Sequence, residues 1–304
     1  MTDFSLIDTK MHGMPEITAA FLVVGRQVAL VETGPKSVVG NVFDELDRLG
    51  IDRLDWILVT HIHLDHAGAA GTLAERFPDA RVGVHEVGAP HLADPSKLWK
   101  SASRIYGERM EKMWGGIDPI PQERIEVLDD GREIDLGGRS LKAIETPGHA
   151  YHHHAFLDSQ SGTLFTGDAL GVRLPGVPHI RPATPPPEFH LEKAVASIER
   201  IRKLAPAALA PTHFGPIDGD VESSCDDAVA ALETWANWVQ EVRKQTDDLD
   251  EAAAMVERKA REDLTGRLDD AAIDRLEQTT SFWMNTWGYM RYFDKQEEGA
   301  RGNQ

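Results

Sequence analysis

The sequence lacks the features that mark secreted and membrane-spanning proteins. Its 304 residues include a single cysteine, Cys225, which excludes an intrachain disulfide and a cysteine-rich structural zinc site. No stretch approaches the about 18 consecutive apolar residues of a membrane helix. Residues 1–11 do not show the basic and then apolar pattern of a signal peptide. We therefore expect a cytoplasmic protein with no membrane partner.

Basic residues are also scarce. Lys and Arg number 32 against 50 Asp and Glu, which gives a formal net charge of −18. A field of this sign repels phosphate backbones, so no nucleic acid is expected as a partner. Hydrophobic residues make up 41% of the chain, which suffices for a sizeable core. A folded enzyme with a small-molecule substrate fits this composition.

Short apolar runs alternate with helical patterns over the first two thirds of the chain, whereas only helical patterns follow Val221. This arrangement predicts an α/β catalytic domain at 1–220 and a helical C-terminal extension at 221–304, with a frayed polar tail from Gln296. The predicted strands are 17–24, 28–32, 56–60, 81–85, 125–128, 133–136, 140–146, 154–157, 163–166 and 207–210, and the predicted helices of the first domain are 38–49, 68–77 and 188–204.

Two insertions interrupt the alternation. Residues 95–121 combine a helically spaced apolar stripe with Trp99, Tyr106 and Trp114. Such aromatic residues are more often core than substrate wall, but their density also makes them candidates for an apolar pocket rim. Residues 173–187 form a proline-rich loop that is extended rather than helical.

The proline-rich loop carries three candidate substrate-binding residues, Arg173, His179 and Arg181. A guanidinium group recognises phosphate or carboxylate through paired donors, and His179 is placed to border a pocket. The alternative for the two arginines is ordinary ion pairing, which is common and weak at surfaces.

The hexapeptide His61-Ile62-His63-Leu64-Asp65-His66 follows a predicted strand directly. Histidines at i and i+2 of an extended segment point the same way, so His61 and His63 can meet one ion. Asp65 and His66, where a helix begins, can turn toward a second ion. The alternative is a solvated or helix-capping cluster.

Three further segments repeat one pattern, in which a strand is followed by a tight turn that presents a metal-type ligand. They end at His149, Asp168 and His213. Together with the hexapeptide they supply the five histidines and two aspartates that two zinc ions need, with coordination left for water. Two divalent ions are therefore the expected cofactors; Zn²⁺ is favoured, with Mn²⁺ and Fe²⁺ as alternatives.

The order of these motifs resembles the metallo-β-lactamase superfamily over about residues 16–215. The resemblance implies a four-layer αββα sandwich. It also implies that His61, His63 and His149 hold one metal, that Asp65, His66 and His213 hold the other, and that Asp168 bridges the two.

Hydrolysis is the expected reaction, because a water shared by two dications loses a proton near neutral pH. Asp65 is the candidate catalytic residue, orienting the nucleophile or protonating the leaving group as well as ligating. The resemblance further implies a hydrolase of the glyoxalase II-like or phosphodiesterase-like branch, which cleaves an ester-type or phosphodiester bond.

Several alternatives remain open. Glyoxalase II typically has a glycine pair after the first motif, where this chain has Ala67-Gly68, and lactonases of the superfamily place a tyrosine where this chain has Gly171. A thioesterase or lactonase is therefore an alternative, and a non-catalytic member of the fold is another. The aromatic residues near 282–292 are too concentrated to be left in water, which predicts that the extension shapes a pocket or a homodimer contact.

Overall fold

The computed structural model describes residues 3–217 and 219–302, with side chains as far as residue 299. The chain forms two compact units. The first consists of Met1–Glu145, His152–Gly167 and Pro206–Ile217, and the second of Thr146–Tyr151, Asp168–Ala205 and Asp218–Gln304. Within the described residues, no helix is both long and apolar enough to cross a membrane.

The first unit contains two sheets. A six-stranded sheet has the order β1-β2-β3-β4-β5-β6, with antiparallel pairing from β1 to β3 and parallel pairing from β3 to β6. A five-stranded sheet has the order β11-β10-β9-β8-β7, in which only β10 and β11 are parallel. The strands are β1 (Ser5–Asp8), β2 (Ala19–Val24), β3 (Val28–Val31), β4 (Trp56–Leu58), β5 (Arg81–Val84), β6 (Ile125–Val127), β7 (Glu133–Asp135), β8 (Ser140–Glu145), β9 (His154–Asp158), β10 (Thr163–Gly167) and β11 (Ala208–Pro211).

Alternation along the strands builds two cores in this unit. On β3, Leu30 belongs to a cluster with Leu46 and Leu73 on the helical side of the six-stranded sheet. Its neighbour Val31 faces the opposite way, into a cluster between the two sheets, because successive strand residues point to opposite faces. The helices of the unit are α1 (Val39–Arg48), α2 (Leu64–Ala67), α3 (Ala70–Arg76), α4 (Ala89–Ala93), α5 (Ser96–Tyr106) and α6 (Met110–Trp114).

The second unit is helical. Its helices are α7 (Leu191–Leu204), α8 (Val221–Val242), α9 (Leu249–Leu264), α10 (Asp270–Glu277) and α11 (Phe282–Gly302). Asp220, Asp248 and Asp269 cap α8, α9 and α10 by accepting a backbone N–H of the first turn. The proposed division at residue 220 stays a prediction, since the second unit also takes in α7 and the proline-rich loop.

Four of the C-terminal aromatic residues, Phe282, Tyr289, Tyr292 and Phe293, are buried in this unit, whereas Trp283 and Trp287 are half-buried. Phe282 stacks on Trp235 with ring centroids 5.7 Å apart, and the hydroxyl of Tyr289 donates to Leu232 O at 2.8 Å. These side chains are buried within the chain, so they do not require a homodimer contact, and a homodimer stays a prediction. Helix α11 continues to Gly302, whereas the sequence analysis predicts a frayed tail from Gln296. The intervening Glu297, Glu298 and Ala300 are compatible with a helix.

The strands predicted from alternation are present, within a few residues of the expected bounds. Strand β1 is not predicted, because its polar residues obscure the alternation. The helical stripe of the first insertion corresponds to α5 and α6. Residues 173–187 contain no helix or named strand, as their prolines predict.

Gly288 of α11 offers a test of packing in the second unit. A Cβ added there would lie 1.6 Å from Thr184 O of the proline-rich loop. We expect Gly288→Ala to lower the free energy of unfolding by about 3 kcal/mol, measured by urea denaturation. Gly299→Ala is the control, because a Cβ there meets nothing within 4 Å and alanine favours a helix. Equal effects of the two substitutions would contradict this close approach.

Candidate metal centre

The first ligand loop lies at the carboxyl end of β4, which pairs in parallel with β3 and β5. His61 and His63 follow the strand, with His63 in extended backbone, and α2 begins at Leu64, which places Asp65 and His66 in its first turn. The Nε2 atom of His61 and the Nδ1 atom of His63 lie 2.9 Å apart. Two imidazole nitrogens thus converge on one point, as the i, i+2 spacing predicts.

Asp65, His66 and His213 form a second cluster in the same unit. Their ligand atoms all lie within 4.8 Å of one another. Asp65 Oδ2 lies 3.4 Å from His213 Nε2 and 3.7 Å from His66 Nε2. His213 follows β11, so two strand ends far apart in sequence supply this cluster.

The other ring nitrogens of this cluster bind acceptors. His213 Nδ1 lies 2.9 Å from Ile17 O, and His66 Nδ1 lies 3.2 Å from Glu32 Oε1. Because a carbonyl oxygen can only accept, His213 Nδ1 carries the proton, and its Nε2 presents a lone pair to the cluster. Such outer hydrogen bonds are how proteins orient metal-ligating histidines.

Glu32 organises the ligand loop but is not among the site residues predicted from the sequence. It is fully buried, and its Oε1 accepts from Thr60 Oγ1 at 2.5 Å and from Thr212 Oγ1 at 3.1 Å. Thr60 Oγ1 also lies 2.9 Å from His61 Nδ1, so Glu32 orients His66 directly and His61 through Thr60. Its backbone is left-handed, with φ of 69°, which is unusual for glutamate and is not indicated by the sequence.

The second unit holds the other two predicted ligands. His149 Nε2 lies 3.4 Å from Asp168 Oδ2, and both side chains are buried. His149 Nδ1 donates to Ala183 O at 2.8 Å, which leaves the lone pair on Nε2. The turn before His149 requires Gly148, because its φ is +140° and a Cβ would lie 2.3 Å from Ala194.

A small pocket within the second unit borders these two ligands. Apart from His149 and Asp168, its lining is apolar side chain or backbone. The residues that complete it are Ala169, Leu170, Gly171, Pro182, Ala183, Phe189, Ala194, Ala228 and Leu232. The space has room for about one water molecule, so it is a small cavity beside the two ligands and not a substrate pocket.

The three candidate substrate residues are also in the second unit. Arg181 is buried: its Nη1 donates to Glu277 Oε1 at 2.8 Å and to Thr280 O at 3.2 Å. This favours the ion-pairing alternative for Arg181. Burial, with a smaller effect of Arg181, lowers the pKa of His179 to about 4, so that ring is neutral at pH 7. Arg173 Nη1 lies 3.5 Å from Ser224 Oγ. Substrate contact by the three residues stays a prediction.

A further group has side chains of the metal-binding kind: His85, Glu145 and His154. It differs from the ligand clusters in the tautomer of its histidine His85. Its ligand atoms also lie within 4.8 Å of one another. However, His85 Nδ1 accepts the N–H of Val87 at 3.1 Å, so the proton of the neutral ring is on Nε2, which faces Glu145 Oε1 at 3.7 Å. His85 therefore presents a donor, not a ligand lone pair, to this group.

The chain belongs to the metallo-β-lactamase superfamily, whose family model matches residues 13–213. It is 30% identical over 206 residues to the metallo-beta-lactamase fold-containing protein ST1585 of Sulfurisphaera tokodaii, covering 66% of this chain and 74% of that protein. It is 34% identical over 131 residues to a hydroxyacylglutathione hydrolase of Aeromonas salmonicida, covering 43% of this chain and 39% of that protein.

The likeness to solved structures extends over nearly the whole chain. The metallo-beta-lactamase family protein TTHA1429 of Thermus thermophilus superposes with a TM-score of 0.71 at 22% identity, covering 98% of this chain and 95% of that one. The predicted fold, a four-layer αββα sandwich with a helical C-terminal region, is confirmed. The relatives include proteins named as hydrolases, and the clusters of histidine and aspartate are able to bind metal.

The donor set of these clusters fits a divalent metal. Imidazole nitrogen and carboxylate oxygen are ligands that zinc, manganese and iron(II) accept. In the first unit, the outward ring nitrogens of His66 and His213 are engaged, and the inward Nε2 atoms of both rings face the carboxylate of Asp65.

Proposed function

We propose that this protein is a metal-dependent hydrolase that acts on a small molecule at a two-metal, di-zinc centre. The observation that carries the proposal is the convergence of Asp65, His66 and His213 within 4.8 Å, with the outward ring nitrogens held by acceptors. The proposed ligands are His61, His63 and His149 for one ion, Asp65, His66 and His213 for the other, and Asp168 as the bridge between them.

Two observations support His149 and Asp168 as metal ligands: their place in the order of the superfamily motifs, and the hydrogen bonding and distance of their side chains. His149 lies between β8 and β9 in the chain, and Asp168 directly follows β10, in the order of the family motifs. The lone pair on His149 Nε2 and the nearby carboxylate of Asp168, 3.4 Å away, are the donor pair that one ion needs.

Divalent ions held by these residues would supply Lewis acidity: they would lower the pKa of a bound water and polarise the carbonyl group of the substrate. The protein side chains supply orientation. Asp65, with a side chain 17% exposed, is placed to orient the nucleophile or to give a proton to the leaving group. Glu32 and Thr60 hold the rings of His61 and His66 in the tautomers that ligation requires.

An ester-type bond is the proposed target in preference to a phosphodiester. Phosphate recognition calls for guanidinium or ammonium donors, whereas the candidate Arg181 is buried and donates to Glu277. A thioester is the second candidate, because the chain shares 34% identity over 131 residues with a protein named as a hydroxyacylglutathione hydrolase.

Metal loading and a substrate panel test this proposal. We expect about two zinc ions per chain after reconstitution, by elemental analysis, and turnover of an ester, lactone or thioester that a chelator abolishes. His213→Gln should lose an ion, while His85→Gln should keep both, because His85 presents a proton rather than a lone pair. At most one tightly held ion, or turnover that survives chelation, would overturn the two-metal hydrolase.

A further inference from the structure

Helix α11 of the second unit carries a buried asparagine, Asn285, in its first turn. A side-chain amide that leaves water costs free energy unless its donor and acceptor groups are paired inside the protein. The Oδ1 atom of Asn285 accepts the backbone N–H of Thr184 at 3.0 Å and the hydroxyl of Thr280 at 2.8 Å. Its Nδ2 atom donates to Pro182 O at 2.7 Å. The amide is thus paired at both ends, and two of its partners lie in the proline-rich loop.

These partners fix the orientation of the amide group. A backbone N–H can only donate and a carbonyl oxygen can only accept, so Oδ1 faces Thr184 and Nδ2 faces Pro182. The two bonds lie on either side of Ala183 in the chain. One side chain of α11 therefore holds the loop backbone both before and after Ala183.

The bond to Thr184 also sets the direction of the Ala183 carbonyl group. The N–H of Thr184 and the C=O of Ala183 belong to one peptide unit, which is planar and trans and so directs the two groups to opposite sides. Ala183 O accepts the Nδ1–H of His149 at 2.8 Å. Asn285 and His149 therefore bind opposite sides of the same peptide unit.

The hydrogen bond from His149 to Ala183 decides which ring nitrogen is able to ligate. With the proton held on Nδ1, the lone pair of the neutral ring is on Nε2, which lies 3.4 Å from Asp168 Oδ2. A turn of the Ala183 carbonyl away from the ring would release both the ring orientation and the tautomer. The state of His149 thus depends on a peptide unit that α11 holds.

A second contact of α11 supports the same loop. Gly288 lies three residues after Asn285 and therefore on the same face of the helix. A Cβ at Gly288 would lie 1.6 Å from Thr184 O. The helix backbone lies directly against the loop, which keeps the short side chain of Asn285 within reach of both its loop partners.

We propose that Asn285 is a positioning residue of the metal centre. Through the peptide unit of Ala183 and Thr184, it fixes the ring orientation and the tautomer with which His149 binds its ion. This assignment rests on the proposed function, in which His149 is a ligand, and deepens it. It gives α11, which lies beyond the residues 13–213 that the family model matches, a part in metal binding.

Asn285→Ala in the zinc-loaded full chain tests this role through metal affinity, measured by competition with a chelating indicator. We expect one of the two zinc ions to be held about tenfold to 100-fold more weakly, because the support of one ligand is lost. The affinity for the other ion should change by less than about threefold. Should this variant not fold, Asn285→Leu repeats the measurement, because leucine has a similar volume and leaves no cavity.

Tyr289→Phe is the matched control. Tyr289 is also fully buried on α11, but its hydroxyl donates to Leu232 O of α8 at 2.8 Å and not to the loop. Loss of this buried hydrogen bond should lower stability but keep both zinc affinities within about threefold of the wild type. Unchanged zinc binding in Asn285→Ala, or an equal loss in Tyr289→Phe, would overturn the assignment.

Solvent exchange of the His149 Nδ1 proton separates this inference from the hydrolase proposal. It is measured by ¹⁵N NMR of the full chain, with and without zinc, and the signal is assigned with His149→Gln. The proton should exchange at least about tenfold faster in Asn285→Ala than in the wild type. An unchanged rate would overturn the role of Asn285 even where zinc uptake and turnover are as proposed. If the wild type binds at most one ion, the two-metal hydrolase fails, and the exchange rate still decides the role of Asn285.

Discussion

Replacing Asp168 by asparagine is expected to lower turnover at least about 100-fold and to remove much of the bound zinc, while the fold survives. Asp168 is 6% exposed, and its Oδ2 lies 3.4 Å from His149 Nε2. Asparagine keeps the size of the side chain but removes the negative charge that would offset two dications. The adjoining strand β10 is held by backbone pairing with β9 and β11, which does not depend on this carboxylate.

Elemental analysis, turnover and circular dichroism measure these three effects of Asp168→Asn. Excess zinc should restore part of the activity if weakened binding is the main defect. Asp269→Asn is the matched control, because Asp269 caps α10 and asparagine caps equally well. If Asp168→Asn keeps both metals and near-normal turnover, the bridging assignment is wrong and the turn after β10 is a structural cap.

Replacing Arg139 by methionine is expected to lower the free energy of unfolding by about 3–5 kcal/mol, because it leaves a buried carboxylate without its ion-pair partner. Arg139 donates to Asp158 through Nε at 3.1 Å and through Nη2 at 2.5 Å, and the two side chains are 3% and 0% exposed. The pair joins the turn before β8 to the end of β9 in the first unit.

Urea denaturation of the zinc-loaded proteins measures this effect. Arg81→Met is the control: Arg81 also pairs with a carboxylate, that of Glu126 at 2.6 Å, but its side chain is 64% exposed. Its loss should cost less than about 1 kcal/mol. Similar costs for the two substitutions would show that burial of the Arg139 pair is unimportant for stability.

The destabilisation by Arg139→Met should depend on pH. Burial opposes ionisation of Asp158, but hydrogen bonds from Arg139 and Ser161 outweigh it and hold the pKa of Asp158 below its usual value. Stability from a carboxyl group with a lowered pKa is present above the unfolded-state pKa of about 3.9 and is lost as pH falls through the folded-state value. The difference between wild type and variant should therefore shrink below about pH 4, and a constant difference would contradict this origin.

The sequence by itself determined the family, the fold class and the residues proposed to hold metal. These features can be predicted because each depends on a local sequence pattern. His61 to His66 are contiguous, and each remaining ligand follows a strand and a tight turn: His149, Asp168 and His213. The strands can be predicted for the same reason, because successive strand residues face opposite ways. On β3, Leu30 and Val31 accordingly belong to different hydrophobic clusters.

Only the tertiary structure decided which side chains serve those ligands. Glu32 orients its histidine partners through contacts to Thr60, His66 and Thr212, the last of them 180 residues away. The residues around Glu32 in the sequence do not predict this role, because its hydrogen-bond partners follow other strands of the chain. The same holds for Arg181, whose place on a proline-rich loop suggested an exposed anion site but whose guanidinium is buried on Glu277.

The aromatic side chains of the first insertion show the same limit. Tyr106 and Trp114 are near each other in sequence and pack together, but Trp114 also packs against His12, about 100 residues away in the chain. Sequence spacing reports which way a side chain points within its own helix or strand. Which group it meets there depends on segments that come together only when the chain folds.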